Sequence, residues 1–291
     1  METKRFIFAL QKISMKVSLG FSTCPNDTFM FDALVNKRID TQEFEFELVM
    51  ADIKELNDLA FAAKFDITKL SYHAYTHLLK DYQLLDSGSA LGHNCGPLII
   101  SKNRIDSEAL HKDLRLAIPG KFTTANLLFS LAFPNLLNKE VMLFHEIEDA
   151  VLNGTVDLGL IIHENRFTYQ EKGLHKVMDL GEYWESTFKY PIPLGGIVAK
   201  RSLGIENIKK ISNLIRQSVQ YAFDNPSESQ PFVLKYAQEM HPEVVQQHIT
   251  LYVNSFSIEL GLEGRGAVQK LFDVGFEKGL FTPSQYSIFI P

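Results

Sequence analysis

The chain has 291 residues, 45% of them hydrophobic and 22% charged, with a formal net charge of -6. That length exceeds what one compact core takes and predicts two lobes, while the composition excludes disorder over any long span. The negative balance gives no support to a nucleic-acid partner, which leaves a basic patch, yet it does not exclude an anionic small molecule, because helix N-termini hold anions through backbone N–H groups without a positive protein.

The first fourteen residues, METKRFIFALQKIS, carry a basic cluster and a short apolar run over 6–10. That run is too short for a signal-peptide core, and no stretch approaches the ~20 apolar residues of a membrane span. Residues 1–14 therefore read as an extension before an ordered start near Met15. Neither of the two cysteines, Cys24 and Cys95, belongs to a CxxC or metal-spaced set. This usage predicts a reducing compartment, and the expectation is a cytoplasmic protein without a membrane partner. Oligomeric state is not legible.

A strand over 16–21 leads through a polar turn into a helix around 29–34. Phe44, Phe46 and Leu48 alternate with Glu45 and Glu47, the period of a half-buried strand. A helix over 53–63, a strand over 66–70 and a helix over 72–79 follow. This alternation predicts an α/β lobe with a largely parallel sheet. Gly96-Pro97 opens a strand over 98–101, and a second series runs from a strand over 114–118 through helices over 125–133 and 147–152 to a strand over 158–162. The segments 98–101 and 194–200 resemble each other and read as the strands that cross between lobes. Beyond them Ile208, Ile211, Ile215 and Val219 repeat at helical spacing, and Pro226 introduces the next helix. The expected division is a large discontinuous lobe, 1–110 with 198–291, and a small inserted lobe, 111–197.

Four polar clusters each follow a predicted strand: residues 23–28 (TCPNDT), 69–72 (KLSY), 120–125 (GKFTTA) and 163–168 (HENRFT). Open α/β sheets bind ligands outside the carboxyl ends of strands, so these clusters point to one interlobe cleft. Asn26 and Asp27 fit helix N-capping and ligand contact alike. Cys24 lacks a sequence-local activating partner and reads as a packing thiol. Thr123 or Thr124 would cap a helix whose free N–H groups suit a carboxylate or phosphate, and Ser71 fits simple capping or a matching role in the first lobe. His163 stands at the exit of a buried strand, where α/β folds place functional groups, and imidazole exchanges protons near neutrality. Glu164 fits either orienting that ring or facing solvent. Arg166 fits anion binding and a structural ion pair equally. His73 and His77 are four apart but lack the glutamate and third ligand of a zinc motif, so no metal is expected.

Residues 20–29 (GFSTCPNDTF), with TKLSY at 68–72, Pro119-Gly120 and Thr123-Thr124, LIIHE at 160–164, RFTY at 166–169, Pro193-Leu194-Gly195 and YVNSFS at 252–257, resemble the 1,4-dihydroxy-6-naphthoate synthase family of menaquinone biosynthesis. The first and fourth motifs are the specific ones, and the resemblance runs from about Lys16 to the carboxyl end. It implies a fold like the type II periplasmic solute-binding proteins and a lyase of the futalosine route, acting without a cofactor. The substrate would be cyclic dehypoxanthinyl futalosine, with His163 the base and Asp27, Ser71, Thr123 and Thr124 lining the ligand site. A chorismate dehydratase-type sister enzyme fits the IIHE and CPNDT segments less well. A non-catalytic solute-binding protein is disfavoured by the absence of an export signal, and a transcription-factor effector domain by the lack of room before Met15.

Overall fold

A computed structural model describes residues 14–237 and 241–291, so the expected extension lies outside them but for Ser14. The first half runs β1 (Met15–Phe21), α1 (Pro25–Val35), β2 (Phe44–Met50), α2 (Ile53–Phe61), β3 (Ile67–Ser71), α3 (Tyr72–Thr76), β4 (Tyr82–Leu84) and β5 (Ala90–Gly92). It continues with β6 (Leu98–Ser101), β7 (Leu116–Ile118), α4 (Thr124–Ala132), β8 (Lys139–Val141), α5 (Ile147–Leu152), β9 (Leu158–Ile161), α6 (Asn165–Thr168), β10 (His175–Asp179) and α7 (Leu180–Phe188). The chain then returns through β11 (Ile192–Lys200) to α8 (Ile205–Asp224), α9 (Pro226–Tyr236), α10 (Pro242–Tyr252), α11 (Ser255–Ile258) and α12 (Gly261–Glu277). Among the described residues, no helix is long and apolar enough to cross a membrane.

Two sheets result, one ordered β2-β1-β3-β11-β4 with β5 on β11, the other β10-β6-β9-β7-β8. The expectation of a largely parallel sheet needs correction. β1 pairs parallel with β2 and β3, and β7 with β8 and β9, but β11 is antiparallel to β3, β4 and β5, and β6 to β9 and β10. The crossing strands are the cause: each enters its sheet from the other half of the molecule, against the direction set by the strand–helix units. Sheet membership also moves the division. Leu98–Ser101 belongs to the second sheet and Ile192–Lys200 to the first, so the chain changes sheets between β5 and β6 and between β10 and β11, rather than at 110 and 198.

Local sequence explains two of the helix starts. Asp52 accepts the Glu55 N–H at 2.8 Å to open α2, and Asp179 accepts those of Gly181 and Glu182 at 2.7 and 3.3 Å to open α7. Under the first sheet, Ile208, Ile211, Ile215 and Val219 of α8 are buried with Val17, Leu19 and Ile197. Each such side chain contributes roughly 1.5–3 kcal/mol on leaving water. Leu116, Leu128, Leu158, Leu160 and Trp184 form the corresponding core of the second sheet.

Candidate functional site

The turns after β1, β3, β7 and β9 converge on one cleft of about 680 Å³ of atom-free space, which takes lining residues from all four polar clusters. Its floor is built on Asp27, which is 1% exposed. One carboxylate oxygen accepts the Ser22 N–H and hydroxyl at 3.0 and 2.7 Å; the other accepts the Asn26 amide at 2.9 Å and the Lys69 ammonium. Asp27 is thus neither a helix cap nor turned outward. It lies in the first turn of α1, whose N-cap is Cys24, and it anchors three residues that themselves line the cleft.

Ser71 stands at the α3 N-cap without making a side-chain cap bond. Asn57 instead grips it, accepting the Ser71 N–H at 3.0 Å and donating to its hydroxyl oxygen at 3.1 Å. The Ser71 hydroxyl hydrogen is therefore available to a ligand. Across the cleft Thr123 caps α4, accepting the Asn126 N–H at 3.3 Å and donating to Gly120 O at 2.8 Å. Thr124 donates to Leu194 O at 2.5 Å. With both hydroxyls occupied, this side offers a ligand the first-turn N–H groups of α4 other than that of Asn126, which no intrahelical carbonyl can satisfy.

His163 leaves β9 in the left-handed region, φ 58°. Few residues other than glycine adopt that conformation, which costs of order 1–3 kcal/mol and concentrates at functional sites. Its ring keeps part of its surface on the cleft while Phe144 covers another side edge-on at 5.1 Å between centroids. Burial lowers its pKa from 6.5, partly offset by Glu164 and Asp27, so the imidazole is neutral and basic at pH 7. Nδ1 lies 3.4 Å from the Cys24 sulfur. Burial, then Glu164 and Asp27, push the Cys24 thiol up, so it stays protonated and serves as a neutral neighbour rather than a thiolate nucleophile.

Three cleft residues were not assigned from sequence. Lys69 is 5% exposed and was noted only within its cluster. His248 and Tyr252 come from α10; His248 is 1% exposed, meets Asn26 Oδ1 through Nε2 at 3.0 Å, and stacks parallel to His163 at 6.2 Å. The one sequence signal for His248 was its place on the apolar face shared with Val245, Ile249 and Tyr252, a pattern that core histidines produce equally.

Arg166 is placed otherwise. Its guanidinium donates to Gly96 O at 2.6 Å, Asn94 O at 2.8 Å and Asp179 at 2.6 Å, and it is not among the residues lining the cleft. It ties down the segment that crosses between the sheets. There the Gly96 backbone passes so close to Gly181 that a Cβ at residue 96 would fall 2.2 Å from the Gly181 nitrogen. His73 lies against Thr123 O at 3.2 Å, and burial lowers its pKa to about 4. Among the described residues, no group of three or more His, Cys, Asp or Glu could hold a metal ion.

Comparison with known proteins follows the same lines. Residues 17–277 match the family model described as menaquinone biosynthesis. A protein of Streptomyces coelicolor named 1,4-dihydroxy-6-naphtoate synthase is 42% identical over 269 residues, 91% of this chain and 94% of that protein. A Thermus thermophilus protein of the same name is 42% identical over 272 residues, 94% of this chain and 98% of its own. A crystal structure of an Archaeoglobus fulgidus protein superposes with a TM-score of 0.86 at 34% identity, covering 91% of this chain and 98% of that one. A Candida albicans protein described as having the generic periplasmic binding protein fold superposes with a TM-score of 0.66 at 12% identity, covering 93% and 92%, a likeness of fold alone. The fold is therefore of the periplasmic-binding-protein kind, and the chain belongs to the menaquinone biosynthesis family.

Proposed function

We propose that this protein is a carbon–carbon lyase that converts cyclic dehypoxanthinyl futalosine to 1,4-dihydroxy-6-naphthoate in the cytoplasm, with His163 as general base. The relatives' printed name supplies the product. The observation that carries the chemistry is a neutral imidazole, held in a left-handed turn at a strand exit, open to a cleft that the N-terminus of α4, at the exit of the neighbouring parallel strand, also borders.

In this reading a carboxylate or other anionic group of the substrate meets the α4 N–H groups, the Ser71 hydroxyl and Lys69, while the reacting carbon faces His163. His163 takes a proton from carbon near the substrate carbonyl. Expulsion of the sugar-derived fragment then lets the bicyclic ring become aromatic, and aromatisation supplies the driving force. The protein contributes a positioned base, an anion anchor and a site shielded from water.

The test is to incubate the purified protein with cyclic dehypoxanthinyl futalosine and follow the naphthoate by absorbance and mass. Stoichiometric conversion is expected. Binding without product would leave a solute-binding protein, and product formation from chorismate instead would assign the sister dehydratase activity.

A further inference from the structure

Of the buried side-chain atoms that lack a hydrogen-bond partner, two face each other: Nδ1 of His248 and Oε2 of Glu164, 3.8 Å apart. The other nitrogen of His248 fixes how this contact is read. Asn26 turns its amide NH₂ toward Asp27 at 2.9 Å, so its carbonyl oxygen is the atom that meets His248 Nε2 at 3.0 Å. An amide oxygen only accepts, hence Nε2 carries a proton. In a neutral imidazole that leaves a lone pair on Nδ1, aimed at a carboxyl oxygen that also lacks a donor. At 3.8 Å the two are not hydrogen-bonded; a proton on either atom, with an approach of about 1 Å, gives both a partner. The pair is neutral while it holds that proton and carries one negative charge without it.

Its place gives the pair a role. Glu164 directly follows His163, and the His248 ring lies parallel to the His163 ring, 8° between planes. We propose that His248 and Glu164 form a proton-sharing pair that positions His163 and sets its proton affinity, supplying negative charge beside the imidazolium formed during turnover. Both are positioning residues, since each nitrogen of His248 faces a protein group and Glu164 faces His248. The proposal rests on His163 being the base.

The titratable and charged groups around His163 leave this contact as the adjustable one. Lys69 of β3 and Asp27 of α1 are bound to each other, Cys24 before α1 is a neutral thiol, and Asp52 is occupied in capping α2. The Tyr252 ring of α10 lies tilted against His248 at 4.7 Å between centroids, and burial pushes its phenol up, so it stays uncharged. Glu164 also borders a second opening, beside Phe144, His145, Lys172 and His241, that shares no lining residue with the cleft.

The experiment uses the full chain with ¹⁵N-labelled histidine, titrating the His163 ring by NMR in the wild type and in Glu164→Gln. Glutamine has the same shape and donates to Nδ1, so the local packing is kept. The His163 midpoint is expected to fall by about 1 pH unit. The acid limb of kcat should move with it, and KM should stay unchanged. A midpoint that does not move overturns the proposal, even if turnover drops, because a merely structural role would leave the titration in place. Activity of His163→Gln, measured alongside, separates the two readings. Wild-type turnover in that variant removes the base assignment, whereas a shifted midpoint still upholds the pair.

Discussion

Replacing Lys69 by methionine isolates the charge at the centre of the cleft floor. Asp27 and Lys69 are 1% and 5% exposed, so the substitution leaves a carboxylate in the interior without its cation. Removing one partner of a buried pair costs about 3–5 kcal/mol. Asp27 keeps the Ser22 N–H, the Ser22 hydroxyl and the Asn26 amide, so the lower end, about 3 kcal/mol, is expected. In a chain of this length each kcal/mol moves Tm by roughly 2–4 °C, giving a fall of roughly 6–12 °C. Thermal unfolding followed by circular dichroism reads it directly. Asp27→Asn alone strands the lysine, and the double variant should recover part of the loss, with a coupling of about 1–3 kcal/mol. A Lys69→Met Tm within about 1 °C of wild type, or additive single and double variants, would refute the view that this pair holds the floor together.

The remaining predictions concern pH and the crossing segment. Because burial lowers the pKa of His163 below 6.5, its basic form persists as pH falls past 6.5, and the acid limb of kcat should lie below that value; a limb at or above 6.5 would contradict the assignment. His73, His163 and His248 all bind protons more weakly when folded than when unfolded, His73 down to about 4. Their contribution to stability is therefore complete above 6.5 and lost as pH falls toward the folded values, so denaturant midpoints should drop between pH 7 and 5. A flat profile would contradict this. Arg166→Lys cannot serve Gly96, Asn94 and Asp179 together, so it should cost about 1–3 kcal/mol of stability while ligand Kd stays within about twofold. Ligand affinity lost without stability would return Arg166 to the binding site.

Local pattern carried the fold a long way. The helical spacing in α8 and the run before His163 each encode burial within a few residues; the alternation in β2 placed the strand, but Phe44 is buried, Phe46 half-buried and Leu48 exposed. Strand direction did not follow, because Leu98–Ser101 is buried throughout and such a run fits either sheet in either sense. β4 and β5 are three residues each, too short to show a period. The four turn clusters were visible as polar groups after strands, but their wiring was not. Lys69 meets Asp27 across 42 residues and His248 meets Asn26 across 222, contacts that leave no local trace. Arg166 shows the same limit: an arginine beside a cleft motif suggests an anion, and only the folded crossing segment shows the carbonyls it holds.

The central claim is that His163 is the base, and single-turnover kinetics of His163→Ala at saturating cyclic dehypoxanthinyl futalosine, with Kd measured by calorimetry, tests it most directly. General-base assistance is worth about 10²–10⁴-fold, so the rate of naphthoate formation should fall by that factor while Kd changes little. A rate within about threefold of wild type at unchanged Kd would contradict the account.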